Sequence, residues 1–273
     1  KKQGIKFVDK ENFEIILSKI LTHHISEQEV TDVLCCGMIG SKQGWLETPY
    51  VQVPCSPLLN KNSLKVLSKD KRLNVRIIPG LKQIENPDVM RGEETQILGY
   101  LSLNPDFEGT ICFTGTHTKW VDILSGNVVS FETFMTGEMF DLLVNNSMLK
   151  SSVSSEKLDL NECRNAALEI FSSPQKFSSN LFKLRSKSLL NGLSPKTVRS
   201  RLSGYVIGLE LSGSKKFWLG HDVVVVGTKP VTSIYEKVLK DLGIKTKTFL
   251  SGELSFKGLQ TIYHKVSMND NLK

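Results

Sequence analysis

Apolar and polar positions along the chain mark out strands and helices in regular succession. Residues 5–8 (I-K-F-V) read as a strand. Asp9 follows as a good helix N-cap, and Phe13, Ile16, Leu17, Ile20 and Leu21 recur at the spacing of one helical face. Val33-Leu34-Cys35-Cys36 is a short unbroken apolar run that stops at Gly37, the pattern of a strand buried on both faces. Residues 76–78 predict a brief strand ending at Pro79-Gly80. Residues 89–103 predict a helix with Ile97, Leu98 and Leu101 on one side, and residues 109–114 a strand running into Gly115-Thr116-His117-Thr118. From about residue 136 to 211 the pattern is helical, with Met139, Leu142 and Leu143 on one face and a Ser/Lys-rich stretch over 172–200. Residues 223–226 return to strand and end at Gly227. Val231, Tyr235, Val238, Leu239 and Leu242 then mark a helix closed by Gly243. Strands alternating with helices imply an α/β fold with buried, mainly parallel or mixed sheets.

Composition narrows the function classes without choosing one. A chain of 273 residues, 40% hydrophobic, has material for one or two globular domains. The net charge of +7 raises the question of a nucleic-acid or membrane-surface partner. Its distribution answers against one: basic residues come as scattered pairs such as Lys1-Lys2, Lys71-Arg72 and Lys215-Lys216, without interleaved aromatics or a helical stripe, so they read as solvated surface. The five cysteines are odd in number and lack C-x-x-C spacing, which predicts reduced thiols in a cytoplasmic protein rather than a disulfide framework or zinc site. No apolar run approaches the length of a membrane span and no signal-peptide pattern is visible. The chain does not begin with Met, and Lys1 is read as a processed or trimmed start.

Three glycine-containing turns follow predicted strands, an arrangement suited to phosphate because glycine lets the backbone approach an anion closely. Gly115-Thr116-His117-Thr118 adds hydroxyls and the nearby Lys119, though an ordinary strand turn has the same composition. Residues 88–96 read D-V-M-R-G-E-E-T-Q and place Arg91, Glu93 and Glu94 around a glycine at a helix start. A carboxylate there is either a cap favoured by the helix dipole or a base aimed at a substrate hydroxyl. The segment 37–55 combines three glycines with Lys42, Trp45, Glu47, Thr48 and Tyr50, either a loop that encloses a small hydroxylated ligand or a surface loop tucked down by Trp45. No G-x-S-x-G, H-E-x-x-H or Walker A sequence is present. His23-His24 sits at a predicted helix end, and His221 and His264 lack a ligand-spaced partner, so no metal site is expected from side-chain clusters.

Taken in order, G-M-I-G-S-K-Q-G-W (37–45), I-I-P-G (77–80), V-M-R-G-E-E-T-Q (89–96), G-T-H-T-K-W-V (115–121), M-T-G-E (135–138), V-V-V-G-T (224–228) and S-G-E (251–253) resemble the 2-keto-3-deoxygalactonate kinase family of the actin/hexokinase/heat-shock-protein-70 superfamily. The resemblance implies two ribonuclease-H-like α/β domains around a cleft, a sugar-acid-binding remainder over residues 1–88 and a nucleotide-binding domain over 89–273. It implies ATP with Mg²⁺ and a 2-keto-3-deoxy sugar acid as small-molecule partners, no nucleic acid or membrane partner, and admits a homodimer. Gly115, Thr116, Thr118 and Lys119 look like a phosphate loop, and Gly227 with Thr228 like the adenosine loop. Comparison with carbohydrate kinases carrying G-D-Q-Q suggests Glu93 as catalytic base, with Glu94 competing. Lys42, Trp45, Tyr50 and Arg91 are expected to hold the sugar acid. One departure stands out: the superfamily's opening strand-turn-strand, resembling D-x-G-S-T-N, is absent, so the first domain is expected to lack its N-terminal strands. Two outcomes fit that loss, a portion of an active kinase, which we favour, and a truncated or degenerate homologue that binds a sugar acid or nucleotide without turnover.

Overall fold

The protein is described by a computed structural model covering residues 8–59 and 62–270. In chain order the elements are α1 (Phe13–Leu21), β1 (Thr31–Cys35), β2 (Tyr50–Gln52), β3 (Leu64–Lys65), β4 (Leu73–Ile77), β5 (Gly80–Gln83), β6 (Asp88–Met90) and α2 (Glu93–Leu103). They continue with β7 (Gly109–Phe113), β8 (Thr118–Leu124), β9 (Asn127–Phe134), α3 (Thr136–Asn146), α4 (Leu160–Ser172), α5 (Phe177–Leu190), α6 (Pro195–Gly213) and α7 (Lys215–Trp218). The last are β10 (Val223–Gly227), α8 (Lys229–Asp241), β11 (Thr246–Leu250) and α9 (Ser251–Asp270). This is an α/β fold with mixed sheets. The strand expected at residues 5–8 falls mostly outside the described residues, and no helix among the described residues is long and apolar enough to cross a membrane.

The chain packs into two compact units. The first comprises the described residues of Lys1–Phe107, Leu124–Ser130 and Gly252–Lys273, and the second Glu108–Ile123 with Phe131–Ser251. The boundary expected at 88/89 lies inside the first unit, because the residues after it build a helix that belongs there. That helix, α2, starts at Glu93 and not at Val89: Asp88–Met90 instead pairs antiparallel with β5, and Gly92 at φ 110° turns the chain from strand into helix.

In the first unit, β1 pairs parallel with β4, which pairs antiparallel with β3, and a second three-stranded sheet has the order β2-β5-β6. Val66, Leu73, Val75 and Ile77 form a buried cluster under Leu17 and Leu21 of α1. The run ending at Cys36 was expected to be buried on both faces, yet β1 is half-buried, since among the described residues it pairs with β4 alone. Asp9 takes the extended backbone of an N-cap without a side-chain cap bond, and a short 3₁₀ turn at Lys10–Asn12 precedes α1.

The second unit is built on a five-stranded sheet of order β11-β10-β7-β8-β9, with β10 parallel to both β7 and β11 and β7 antiparallel to β8. All five residues of β10 are buried, as expected of a strand covered on both faces. Its core joins Cys112, Trp120, Val225, Tyr235 and Leu239. Helices α4 and α6 approach closely because Gly204 and Gly208 face the backbone of Cys163 and Ala167, where a Cβ would come within 2.2 Å of a carbonyl oxygen at either position.

Candidate active site

In the first unit, the β5–β6 pair delivers Arg91 and the first turn of α2. Met90 is locked opposite Leu81, and Gly92 at φ 110° forms the helix N-cap. A side chain at Gly92 would be strained by that φ and would stand 3.2 Å from Gly37 Cα, so this glycine is required twice over. Glu93 and Glu94 lie in the first turn, where the helix dipole favours negative charge. Glu93 is half-buried, and its Oε2 accepts the Arg91 backbone N–H at 3.0 Å. Glu94 is fully buried. Its Oε2 accepts the Gly92 N–H at 2.6 Å and its Oε1 accepts the Thr95 hydroxyl at 3.0 Å. Burial, reinforced by the neighbouring Glu93 charge, pushes the Glu94 carboxyl up to about 8. Burial also raises the thiols of Cys35 and Cys36 to about 11.

Arg91 ties this turn to the glycine-rich loop. Its Nη1 donates to Thr48 Oγ1, its Nη2 donates to the Thr48 carbonyl at 2.8 Å, and its guanidinium lies 4.3 Å from the Tyr50 ring centroid. Thr48 in turn donates its backbone N–H and its hydroxyl to the Gly40 carbonyl, at 2.9 and 3.2 Å. Gly40 has no room for a side chain: a Cβ would fall 2.7 Å from Thr48 Oγ1 and 2.9 Å from Arg91 Nη1. Trp45 packs on the cluster of Val66, Leu73, Val75 and Ile77, and its backbone N–H donates to the Ile39 carbonyl at 2.9 Å. Two buried polar atoms in this neighbourhood, Ser41 Oγ and Arg91 Nε, have no hydrogen-bond partner. Lys42 is exposed on the same loop.

In the second unit, the turns after β7 and β10 lie at the carboxyl ends of adjacent parallel strands, the edge where open α/β sheets bind ligands. The Thr114 N–H donates to the Val226 carbonyl at 2.8 Å, and a Cβ on Gly227 would sit 2.0 Å from Thr114 Oγ1. Gly115, Thr116 and His117 are exposed. The first turn of α3 rests on them: the Glu138 N–H donates to the Thr116 carbonyl at 2.9 Å, and a Cβ on Gly137 would stand 2.3 Å from the Gly115 carbonyl oxygen. His117 Nε2 lies 2.5 Å from Glu138 Oε2. Thr228 is the N-cap of α8, and its side chain makes no cap bond. Exposed backbone at a glycine turn, beside the amino ends of α3 and α8, is an arrangement that accepts anionic oxygens.

A family model described as 2-keto-3-deoxy-galactonokinase matches residues 1–262. The chain belongs to this kinase family. A relative from Rhizobium meliloti (strain 1021), named "Probable 2-dehydro-3-deoxygalactonokinase DgoK1", is 32% identical over 265 residues, spanning 94% of this chain and 85% of that protein. The 2-dehydro-3-deoxygalactonokinase of Escherichia coli (strain K12) is 30% identical over 269 residues, 97% of this chain and 88% of the relative. A crystal structure from Sinorhizobium meliloti, of a protein given the name 2-dehydro-3-deoxygalactonokinase provisionally, superposes with a TM-score of 0.89 at 30% identity, covering 96% of this chain and 89% of that one.

Within this galactonokinase-family chain, the residues expected to act form two groups. Lys42, Trp45, Tyr50, Arg91, Glu93 and Glu94 lie in the first unit, and Gly115, Thr116, Thr118, Lys119, Gly227 and Thr228 in the second. Side-chain access differs within each group. Thr118 and Lys119 are buried, with Thr118 Oγ1 3.4 Å from Tyr235 Oη, whereas Gly115, Thr116 and Thr228 face solvent. Glu210 escaped the sequence reading. It is a buried carboxylate within the apolar stretch of α6, and a lone charge at a core-facing helical position was the signal available.

Proposed function

We propose that this chain phosphorylates 2-dehydro-3-deoxy-D-galactonate, passing the γ-phosphate of ATP to the terminal hydroxyl to give the 6-phosphate. The observation that carries the reading is membership of the kinase family along residues 1–262, joined to relatives of that name matched over most of their length. Nothing favours a degenerate homologue.

The geometry supports a role for each group of residues. Glu93 is the base: its carboxylate is half-buried at a helix start and can face a hydroxyl, whereas Glu94 is sealed in and, raised to about 8, largely keeps its proton at neutral pH. Arg91 shapes the sugar-acid loop through Thr48 and Tyr50. The unpartnered Arg91 Nε and Ser41 Oγ are the groups that a carboxylate and hydroxyls of the substrate would satisfy. Trp45 anchors the loop, and the exposed Lys42 adds positive charge to it. In the second unit, the backbone of Gly115–Thr116 and the 227–228 turn receive the polyphosphate, backed by the start of α3, while the buried Thr118 and Lys119 support the turn from beneath.

The kinase uses ATP with a divalent cation, which we take to be Mg²⁺. Among the described residues no three His, Cys, Asp or Glu side chains gather as a cage. A cation of this kind is carried largely by phosphate oxygens and water, and Glu138 is the carboxylate adjoining the phosphate turn. When bound, it would neutralise charge on the transferring phosphoryl group.

Two finer readings belong to the same proposal. The sheet order β11-β10-β7-β8-β9, with two parallel strands added to an antiparallel set, supports a ribonuclease-H-like core of the actin/hexokinase type in the second unit. Five free cysteines suit a cytoplasmic enzyme. The test is a coupled ADP-release assay with the sugar acid, ATP and Mg²⁺. Turnover that depends on all three is expected, and saturable binding of both ligands without ADP release would overturn the kinase reading in favour of a sensor.

A further inference from the structure

The second unit contains a buried carboxylate that the phosphate turn does not touch. Glu210 on α6 is 2% exposed, and donors from three other elements converge on it. Trp120 Nε1 of β8 donates to Oε1 at 2.8 Å. Tyr235 Oη of α8 donates to Oε2 at 2.8 Å, and the Thr136 hydroxyl of α3 donates to the same oxygen. Thr118, at the start of β8, adjoins Tyr235 Oη at 3.4 Å. Trp120, Tyr235 and Thr136 are neutral donors, so the burial of this carboxylate is met by a preorganised set of dipoles.

The elements it gathers are those that frame the proposed phosphate turn. Thr118 is the first residue after Gly115-Thr116-His117, and Thr136 begins the helix whose next two residues press on that turn through Gly137 and the Glu138 N–H. Tyr235 belongs to α8, which leaves β10 just after Gly227. We infer that Glu210 is a positioning residue for nucleotide binding: one carboxylate fixes β8, α3 and α8 so that the turn between β7 and β8 and the starts of both helices keep the spacing a polyphosphate requires. Glu210 touches no substrate in this role. It acts through Thr136, Thr118 and Tyr235.

This inference rests on the kinase reading, and its test separates the two. Thr136→Val removes one donor at nearly constant volume and Thr136→Ser retains it, while Tyr235→Phe removes the α8 donor. ATP and the sugar acid are titrated separately by calorimetry, with kcat and KM for each from the coupled assay. Thr136→Val and Tyr235→Phe are expected to weaken ATP binding by about ten-fold each, with sugar-acid affinity unchanged, and Thr136→Ser to recover most of the loss. Glu210→Gln, which sets an amide N–H against the same donors, is expected to weaken ATP binding further. The clamp is overturned if Thr136→Val binds ATP as the unaltered chain does, or if both ligands weaken in parallel with a falling Tm, the mark of a general packing defect. Failure of the unaltered chain to bind ATP at all would overturn the kinase reading and the clamp with it.

Discussion

At the scale of single residues, two adjacent carboxylates at one helix start receive opposite environments. Glu93 keeps access to solvent while Glu94 is enclosed, and the sequence E-E-T offered no means of telling them apart, because burial depends on what covers the turn. Glu93→Gln is expected to lower kcat by about 10²–10⁴ with little change in KM for the sugar acid. Glu94→Gln should retain most of the turnover, and steady-state kinetics on the two variants distinguishes these outcomes. Glu94 also makes a stability prediction. Its carboxyl is raised in the folded chain, so the stability it contributes is fully present below the ordinary value of 4.5 and is lost as pH climbs through about 8. Urea unfolding of the unaltered chain at pH 5, 7 and 9 should show this loss, and Glu94→Gln should flatten it; equal slopes in both proteins would mean that Glu94 is not held neutral.

At the scale of elements, small residues set the close approaches that hold the site-bearing pieces. Helix α9 lies against α2 through Gly99 and Gly258: a Cβ on Gly258 would stand 1.9 Å from the Thr95 carbonyl oxygen, and one on Gly99 2.1 Å from that of Leu254. Gly258→Ala is therefore expected to destabilise by about 1–3 kcal/mol despite the gain of about 1 kcal/mol in helix propensity. Gly252→Ala, where a Cβ meets open space, should be neutral to slightly stabilising. Thermal melts of the two variants test the contrast. Since α2 carries Glu93, the Gly258 variant should also lose activity. The helical periodicity of α2 was legible, but its start was placed four residues early, because Val89 and Met90 continue the apolar pattern while Asp88–Met90 in fact pairs as a strand with β5. A strand of three residues has no period long enough to read.

At the scale of the whole molecule, the proposed roles assign the sugar acid to the first unit and ATP to the second, and variants should divide the kinetic constants accordingly. Gly227→Ala, which would press on Thr114 Oγ1, is expected to raise KM for ATP at least about ten-fold and leave sugar-acid affinity intact. Arg91→Lys keeps the charge but loses the paired donors to Thr48, and is expected to raise KM for the sugar acid by about the same factor with KM for ATP unchanged. Calorimetric titration of each ligand against each variant checks the division, and a variant that weakens both ligands equally would break it. What the sequence by itself determined was the α/β class, the run of strands and helices from the periodicity of apolar positions, and the family, because ordered local motifs survive in linear form. Only the tertiary structure decided that α9 returns to the first unit, that Glu94 and Thr118 are enclosed while Glu93 and Thr116 are not, and that Glu210 gathers donors from three distant elements. Those outcomes depend on contacts between residues far apart along the chain, such as Trp120 with Glu210 and Thr95 with Gly258, which no local pattern of side chains encodes.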